Sequence, residues 1–261
     1  MSRLEAVKTL LASEPRARGR VLDAGTGGGY MTAILASLGP SELVSVSVDE
    51  AAFAEARERS EVVAGAAAAG KLRFLLGDLA DPDLLPVAAF DLVVADYLLA
   101  AVASHRPFRE LEVLERLARL LAPGGLLVVT GMEPFEPART PEQEAIRAVL
   151  RWWGALTFLG GEEMYRESPS WWVAGRLRER GLSVEEPVSS EPLVWSIALL
   201  QRLAQDGRRQ AAASGDPALE RFAAKRLAAL VRRAARLPGF ASGDRKVAWS
   251  QDWVVRAWGP A

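Results

Sequence analysis

The 261-residue chain contains no cysteine and no asparagine, a single histidine, His105, and only four lysines. Without cysteine it has no disulfide, no thiolate for catalysis and no thiolate zinc site. One histidine argues against a histidine-based metal centre, so no metal is expected. The scarcity of thermolabile residues favours a thermophilic source, although a GC-rich genome would bias the composition in a similar way.

The chain also has no run of 18 or more apolar residues, so no membrane span is expected. Its first 20 residues resemble a short amphipathic helix and a basic turn, without the apolar core and cleavage site of a signal peptide. We therefore expect a cytoplasmic protein. The net charge is only −1, but residues 196–246 hold eleven Lys or Arg and four Asp or Glu, so the rest of the chain is acidic.

Residues 20–30 carry the most informative pattern. An apolar strand, 20–24, is followed by glycines at alternate positions, Gly25, Gly27 and Gly29, and then by a helix pattern. A strand, a glycine turn and a helix let the backbone approach a nucleotide cofactor and direct a helix N-terminus at an anion. The dinucleotide fingerprint GxGxxG would need its third glycine at Tyr30, which disfavours a nicotinamide-dependent dehydrogenase.

Strand and helix signals alternate with short connections over the first 131 residues. This alternation predicts an α/β fold with a doubly wound parallel sheet, because strands that are apolar on both sides need helices on both faces. The predicted strands are 20–24, 43–48, 72–76, 90–95 and 125–130. The predicted helices lie near 3–12, 28–38, 50–69, 97–103 and 108–121.

The regular alternation of strand and helix signals ends after residue 131. Ser168 and Pro169 predict a helix start, with Ser168 as the N-cap and Pro169 at the first helical position, and this helix ends near Arg180. Further helices are predicted at 141–156, 193–205 and 217–236, and strands at 182–188 and 252–258. We interpret the chain as a single domain, 1–261, with helical insertions at 133–168 and 190–247.

Five segments match, in order, the motifs of the class I S-adenosylmethionine-dependent methyltransferases, which the chain therefore resembles. They are VLDAGTGGGY (21–30), VSVDE (46–50), LLGDLAD (75–81), FDLVVADYLLAAV (90–102) and LERLARLLAPGGLLVV (114–129). The resemblance implies a Rossmann-like sheet of seven strands, six parallel and the seventh antiparallel, with S-adenosylmethionine as cofactor. It also implies that both insertions leave from the carboxyl edge of the sheet.

Cofactor-binding residues follow from these motifs. The glycine turn would reach the methionine part of the cofactor, and a carboxylate at Asp49, after the second strand, can accept both ribose hydroxyls. The resemblance places Asp78 at the adenine amino group and Leu79 beside the ring, while the alternative for Asp78 is a helix N-cap. The predicted cofactor-binding set is Asp23, Gly25, Thr26, Gly27, Gly29, Asp49, Glu50, Asp78, Leu79 and Asp96.

Catalytic candidates lie where the later strands end: Asp96, Tyr97 and His105, with Glu133 after the fifth strand. His105 suits a general base by its pKa, or is a surface histidine. Asp96 would orient an amine or the sulfonium methyl, or cap the helix that begins near Leu98. The sequence VADYLL differs from the NPPY or DPPY of exocyclic-amine methyltransferases, which argues against adenine or glutamine methylation.

The methyl acceptor is predicted from the insertions. All eight tryptophans occur after residue 150, which indicates either an aromatic cap over an apolar pocket or packing of the insertions on the sheet. We expect methyl transfer to an O or N atom of a small molecule. The alternatives are methylation of tRNA or rRNA by means of the basic segment 196–246, and a cofactor-binding module without catalysis.

Overall fold

The computed structural model describes residues 3–162, 164–240 and 246–260, and within these ranges it contains eight strands and ten α-helices. The strands are β1 (Arg20–Ala24), β2 (Glu42–Ser47), β3 (Leu72–Leu76), β4 (Phe90–Asp96), β5 (Leu121–Met132), β6 (Ser183–Val184), β7 (Val188–Trp195) and β8 (Val247–Trp258). The helices are α1 (Arg3–Ala12), α2 (Tyr30–Ser37), α3 (Ala51–Arg59), α4 (Glu61–Ala68), α5 (Leu98–His105), α6 (Glu110–Leu120), α7 (Pro141–Leu159), α8 (Ser170–Glu179), α9 (Ile197–Ala213) and α10 (Pro217–Ala235).

The strands form one mixed sheet in the order β3-β2-β1-β4-β5-β8-β6, with β7 also paired to β8. The pairs from β3 to β5 are parallel, and β8 runs antiparallel to both β5 and β6. The predicted α/β class, with six parallel strands and one antiparallel strand, is therefore confirmed. The antiparallel β8 begins five residues before Asp252, which pairs with Met132, the last residue of β5, at the carboxyl edge of the sheet.

The sheet has one strand more than the seven expected. The predicted strand 182–188 is reduced to the two residues of β6, because exposed Glu185, Glu186 and then Pro187 follow Val184. Strand β7 begins at Val188 instead, close to where a helical insertion was expected. Its residues are mostly exposed and contain Pro192, so they lack the apolar alternation that predicts a strand.

Helices cover both faces of the sheet, as strands that are apolar on both sides require. Leu22 and alternate strand residues lie in a core with helices α5, α6 and α8. Val21 and the other strand residues that point to the opposite face lie in a second core with helices α1, α2 and α4. Trp253 is 1 % exposed and packs on Gly131 of β5, so this tryptophan is part of the sheet core.

Three helix boundaries differ from the predictions. The helix predicted over 50–69 is two helices, because Ser60 is extended and accepts a hydrogen bond from the backbone N of Val63. Pro169, not Ser168, is the N-cap of α8, which begins one residue later than expected. The helix predicted over 193–205 begins at Ile197, where the Ser196 hydroxyl caps it, and continues to Ala213.

The chain divides into two compact units. The sheet unit comprises residues 1–133, 167–191 and 252–261, and the helical unit comprises 134–166 and 192–251. In the helical unit α7, α9 and α10 share one core, where a Cβ added to Gly207 would lie 3.1 Å from Leu227 Cδ1. The single-domain interpretation and the cap stay predictions. Among the described residues, no helix combines the length and the apolar character needed to cross a bilayer.

Candidate active site

The glycine turn connects β1 to α2 at the carboxyl edge of the sheet. Its backbone is held by hydrogen bonds from Thr26 N to Val46 O and from Gly29 N to Thr26 O, both 2.9 Å. Gly29 has φ +77°, and a Cβ there would lie 2.6 Å from Ala56 Cα, so only glycine lets α2 and α3 approach this closely. Gly27 has φ +47° with no atom within 4 Å of an added Cβ, which leaves this part of the turn open to a ligand.

Asp23 lies beneath this turn and is fully buried. Its Oδ2 accepts hydrogen bonds from Thr32 Oγ1 at 2.5 Å and Ser45 Oγ at 2.8 Å, while Oδ1 has no hydrogen-bond partner. The Thr26 hydroxyl lies 2.7 Å from Ser45 Oγ, so one buried polar network joins the turn to α2 and β2. Asp23 and Thr26 therefore hold the turn in place, and their predicted contact with the cofactor stays a prediction.

Burial dominates the electrostatics of Asp23. The pKa of its carboxyl is raised from 3.8 to about 7, because desolvation outweighs the lowering effect of the hydrogen bonds from Thr32 and Ser45. The charge of Asp96 adds a smaller upward shift. The network therefore changes its protonation state near neutral pH.

Asp49 and Glu50 follow β2 at the same edge, and both are exposed. One Asp49 oxygen, Oδ1, accepts a hydrogen bond from the backbone N of Ala51 at 2.9 Å, which fixes the carboxylate at the start of α3. Its other oxygen makes no hydrogen bond within the described residues. Glu50 is the N-cap of α3 without a capping bond from its side chain.

Asp78 follows β3, and both of its oxygens are engaged. Oδ1 accepts from Ala80 N at 2.9 Å, and Oδ2 lies 2.9 Å from Nη1 of Arg106 in a partly buried ion pair. No helix follows Asp78, so the alternative of a helix N-cap is replaced by a turn within a loop. Leu79 is 8 % exposed and belongs to the sheet core.

The catalytic candidates Asp96 and Tyr97 lie at the end of β4. Thr130 of β5 donates from Oγ1 to Asp96 Oδ1 at 2.5 Å, and Tyr97 N donates to Thr130 O at 3.2 Å. The Tyr97 hydroxyl donates to Asp252 Oδ1 at 2.5 Å. Tyr97 is held in the left-handed conformation, φ +54°, which costs an aromatic residue energy and is typical of functional sites.

His105 is not joined to this cluster. It is the exposed last residue of α5, seven residues beyond Leu98, which corresponds to about 10 Å of helix. No contact within the described residues links it to Asp96 or Tyr97. Its neighbour Arg106 reaches Asp78 instead, so the end of α5 lies beside the loop after β3.

Other polar residues lie at this edge; Glu133 was a predicted candidate, whereas Asp252 and its partner Ser190 were not predicted. Asp252, the sixth residue of β8, accepts a hydrogen bond from Tyr97, and its backbone N donates to Ser190 Oγ at 3.2 Å. Glu133 accepts hydrogen bonds from the backbone N and the hydroxyl of Ser170. The sequence did contain a signal for Asp252, because it is an acid at the start of the predicted apolar strand 252–258. Pairing across 155 positions is not visible in a local pattern.

The residues at the carboxyl edge fit an S-adenosyl cofactor. The turn at Gly27 is open, the Asp49 carboxylate is exposed and fixed, and the N-terminus of α2 follows the turn directly. Carboxylate and hydroxyl acceptors continue along the ends of β4 and β5. In the ranges that the structure describes, no group of three or more acidic or histidine side chains has the arrangement of a metal site.

Comparison with known proteins identifies the fold. Residues 21–125 match the family model described as "Methyltransferase domain". No curated protein sequence matches the chain. The solved structures that it resembles include a candidate methyltransferase from Bacillus halodurans, with a TM-score of 0.62, 15% identity and coverage of 99% of both chains.

Two further structures contain the demethylated cofactor product. The N-methyltransferase NodS from Bradyrhizobium japonicum, solved with S-adenosylhomocysteine, has a TM-score of 0.51 at 15% identity, covering 100% of this chain and 89% of that one. Phosphoethanolamine N-methyltransferase 2 from Haemonchus contortus, solved with phosphomonomethylethanolamine and S-adenosylhomocysteine, has a TM-score of 0.56 at 15% identity. The similarity to this second structure covers 99% of the present chain and 52% of the Haemonchus contortus chain.

The predicted class is therefore confirmed by the family match over residues 21–125, S-adenosylmethionine is the cofactor of such methyltransferases, and the solved structures confirm the fold. The family match ends at residue 125, before the helical unit begins. The solved structures are too distant in sequence to carry more than the fold. The methyl acceptor has to be inferred from the residues of this chain.

Proposed function

We propose that this methyltransferase domain transfers the methyl group of S-adenosylmethionine to an O or N atom of a small molecule. The observation that carries the proposal is the cluster of hydrogen-bond acceptors at the ends of β4 and β5, next to the glycine turn on the adjacent strand β1. Acceptors at this edge suit a nucleophile that bears N–H or O–H groups.

The cofactor is assigned to the residues predicted from the motifs. The glycine turn at Gly25 and Gly27, which is open at Gly27, receives its methionine part. Asp49 accepts the ribose hydroxyls, and Asp78 with Leu79 faces the adenine. Glu50, at the start of α3, and Gly29, at the start of α2, are also assigned to the cofactor. When bound, the sulfonium group supplies an activated methyl, so the protein has to provide orientation and exclusion of water.

Asp96 and Tyr97 are assigned to the acceptor. Each presents an oxygen that can accept a hydrogen bond from an amine or a hydroxyl and hold its lone pair in line with the methyl group. Asp252 is a positioning residue, because its Oδ1 accepts a hydrogen bond from the Tyr97 hydroxyl and fixes the ring. As the new bond to the methyl forms and the old bond to sulfur breaks, the acceptor loses a proton, which is proposed to reach His105 through water because His105 lies about 10 Å along α5.

The helical unit is proposed to cap this site. Both segments of the unit follow or precede residues at the carboxyl edge of the sheet, Glu133 and Asp252, and the unit carries buried Trp195 and Trp249 beside Phe135. An aromatic cap would exclude water from the reacting atoms. The solved structures of this fold named above include N-methyltransferases, one of them solved with a small phosphorylated amine.

Methylation of tRNA or rRNA is the second candidate. It is favoured by the excess of Arg and Lys over 196–246, which is the electrostatic pattern of a phosphate-binding surface. A module that binds the cofactor without catalysis is the third candidate, since fold alone does not establish a reaction.

One labelling experiment separates these candidates. The protein is incubated with tritiated S-adenosylmethionine and cell extract, and label is measured in the RNA, protein and small-molecule fractions. We expect label in the small-molecule fraction, and Tyr97→Phe is expected to reduce it at least about tenfold, because one positioned hydrogen bond in the transition state is lost. Binding of S-adenosylhomocysteine by this variant should stay within twofold of the wild type.

Label in RNA alone would overturn the small-molecule proposal in favour of the second candidate. Binding of S-adenosylhomocysteine without transfer to any fraction would support the non-catalytic module. Tyr165→Phe, which removes the hydroxyl of an exposed tyrosine of the helical unit, serves as the matched control and should leave the label unchanged.

A further inference from the structure

Helix α10 concentrates positive charge on one face. Six cations project within an arc of about 140° around the helix axis and span about 22 Å of its length. They are Arg221, Lys225, Arg226, Arg232, Arg233 and Arg236, which is the C-cap, and all six are exposed. The opposite face, with Leu227 and Ala234, is buried in the core of the helical unit.

These cations have no acidic partners. The only acid in α10, Glu220, lies outside the arc, and within the described ranges none of the six makes a salt bridge or a side-chain hydrogen bond. Other arginines of the same unit do pair: Arg147 with Glu144 and Arg209 with Asp206. Arg221 and Lys225 are four residues apart and repel each other, as do Arg232 and Arg236. An anionic partner would relieve this repulsion.

An aromatic surface lies within the same arc. Phe222 is 54 % exposed, and its ring centroid lies 5.4 Å from that of Trp152 on α7. The guanidinium of Arg226 lies 5.8 Å from the Trp152 ring centroid. An exposed ring bordered by cations is the combination that proteins use to bind single strands, with bases stacked on the ring and phosphates at the cations.

We propose that the basic face of α10 binds a single-stranded polynucleotide. The cations contact successive phosphates, and a base stacks on Phe222. A membrane surface fits less well, because a helix that inserts into a bilayer turns its apolar face outward. Here the apolar face is buried, and Phe222 is the one large exposed apolar residue of α10. This binding does not depend on the proposed methyl transfer.

Fluorescence anisotropy with a labelled 20-nucleotide oligouridylate tests the proposal. At low salt we expect binding in the micromolar range, with a slope of log affinity against log salt of about −4 if all six cations contribute. Arg226→Glu with Arg233→Glu should weaken binding at least about tenfold and reduce the slope by at least about 1.4. Phe222→Ala should weaken binding about fivefold or more through lost stacking.

The matched control is Arg202→Glu with Arg208→Glu on α9, which changes the net charge equally and involves exposed residues of the same unit. It should stay within about twofold of the wild type. An equal loss in both double variants, or no binding of the wild type at low salt, overturns the proposal. Binding to vesicles of phosphatidylserine that needs the α10 residues, without binding to the oligonucleotide, overturns it in favour of a membrane.

Calorimetry with S-adenosylhomocysteine on the same α10 variants keeps the two proposals apart. The variants lie outside the residues assigned to the cofactor, so unchanged affinity is expected. Loss of oligonucleotide binding with intact cofactor binding supports the proposal for α10. Loss of both oligonucleotide and cofactor binding indicates an unfolded variant. In that case the same anisotropy measurement is made on the double variant Lys225→Gln with Arg226→Gln, which removes charge without reversing it, and its result decides the outcome.

Discussion

The two units of this chain have opposite charge. The sheet unit contains 17 Lys or Arg and 24 Asp or Glu, a net charge of −7, whereas the helical unit contains 15 and nine, a net charge of +6. The near-zero charge of the whole chain conceals this difference. Because fields act locally, we expect an acidic sheet unit to favour cationic or N–H-bearing acceptors and a basic helical unit to favour phosphates.

The units also differ in how tightly their conformations are fixed. In the sheet unit a buried carboxylate network and a close approach of helices at Gly29 hold the cofactor turn. In the helical unit three amphipathic helices share a core, and their exposed faces are free to vary in charge. Substitutions in the sheet unit should therefore affect cofactor binding, whereas substitutions on the exposed helix faces of the helical unit should affect only stability or surface binding.

The largest expected difference in cofactor affinity is between substitutions of Asp49 and Asp216. Each aspartate accepts one hydrogen bond from the backbone N two residues later, Asp49 from Ala51 and Asp216 from Ala218. Asp49→Ala should weaken S-adenosylhomocysteine binding at least about 100-fold, because two charge-assisted hydrogen bonds to the ribose are lost. Asp216→Ala should lose about 1 kcal/mol of stability as a helix cap but bind normally. Calorimetry measures both, and retained affinity in Asp49→Ala would contradict the assigned site.

The pH dependence of stability tests the buried network of the sheet unit. The folded-state pKa of Asp23, about 7, lies above its reference value of 3.8. The neutral form therefore stabilises the fold fully below pH 3.8, and this contribution is lost as pH rises through 7. Between pH 5 and 8 the unfolding free energy should fall by about 3 kcal/mol more in the wild type than in Asp23→Asn. The unfolding free energy is measured by urea unfolding, and an equal pH dependence in the wild type and Asp23→Asn would disprove the role of the buried carboxylate.

A smaller effect is expected at Gly29. Gly29→Ala should destabilise the protein by about 2 kcal/mol more than Gly39→Ala, because its added methyl would overlap Ala56. Gly39 has a similar φ, +71°, but open space around an added Cβ, so it isolates the cost of the left-handed backbone. Thermal unfolding measures the difference, and equal values would show that α2 and α3 are not held in close contact.

Much of the sheet unit could be predicted from the sequence, because its signals are local. Strand β1, the glycine turn and helix α1 were predicted with correct or nearly correct bounds. Strand β7 could not be predicted, since its exposed residues and Pro192 carry no period-two apolar pattern. The positions of Asp49 and Asp96 at the ends of their strands followed from the motifs, but their partners did not.

The sequence by itself determined the fold class, the methyltransferase domain and the positions of the cofactor motifs. It could do so because glycine spacing, strand apolarity and the acids at strand ends depend on neighbours within a few residues. Only the tertiary structure revealed the Tyr97–Asp252 hydrogen bond, the Asp23–Thr32–Ser45 network and the lack, among the described residues, of acidic partners for the basic face of α10. These features depend on pairings between distant segments, because sheet register and helix packing decide which side chains meet.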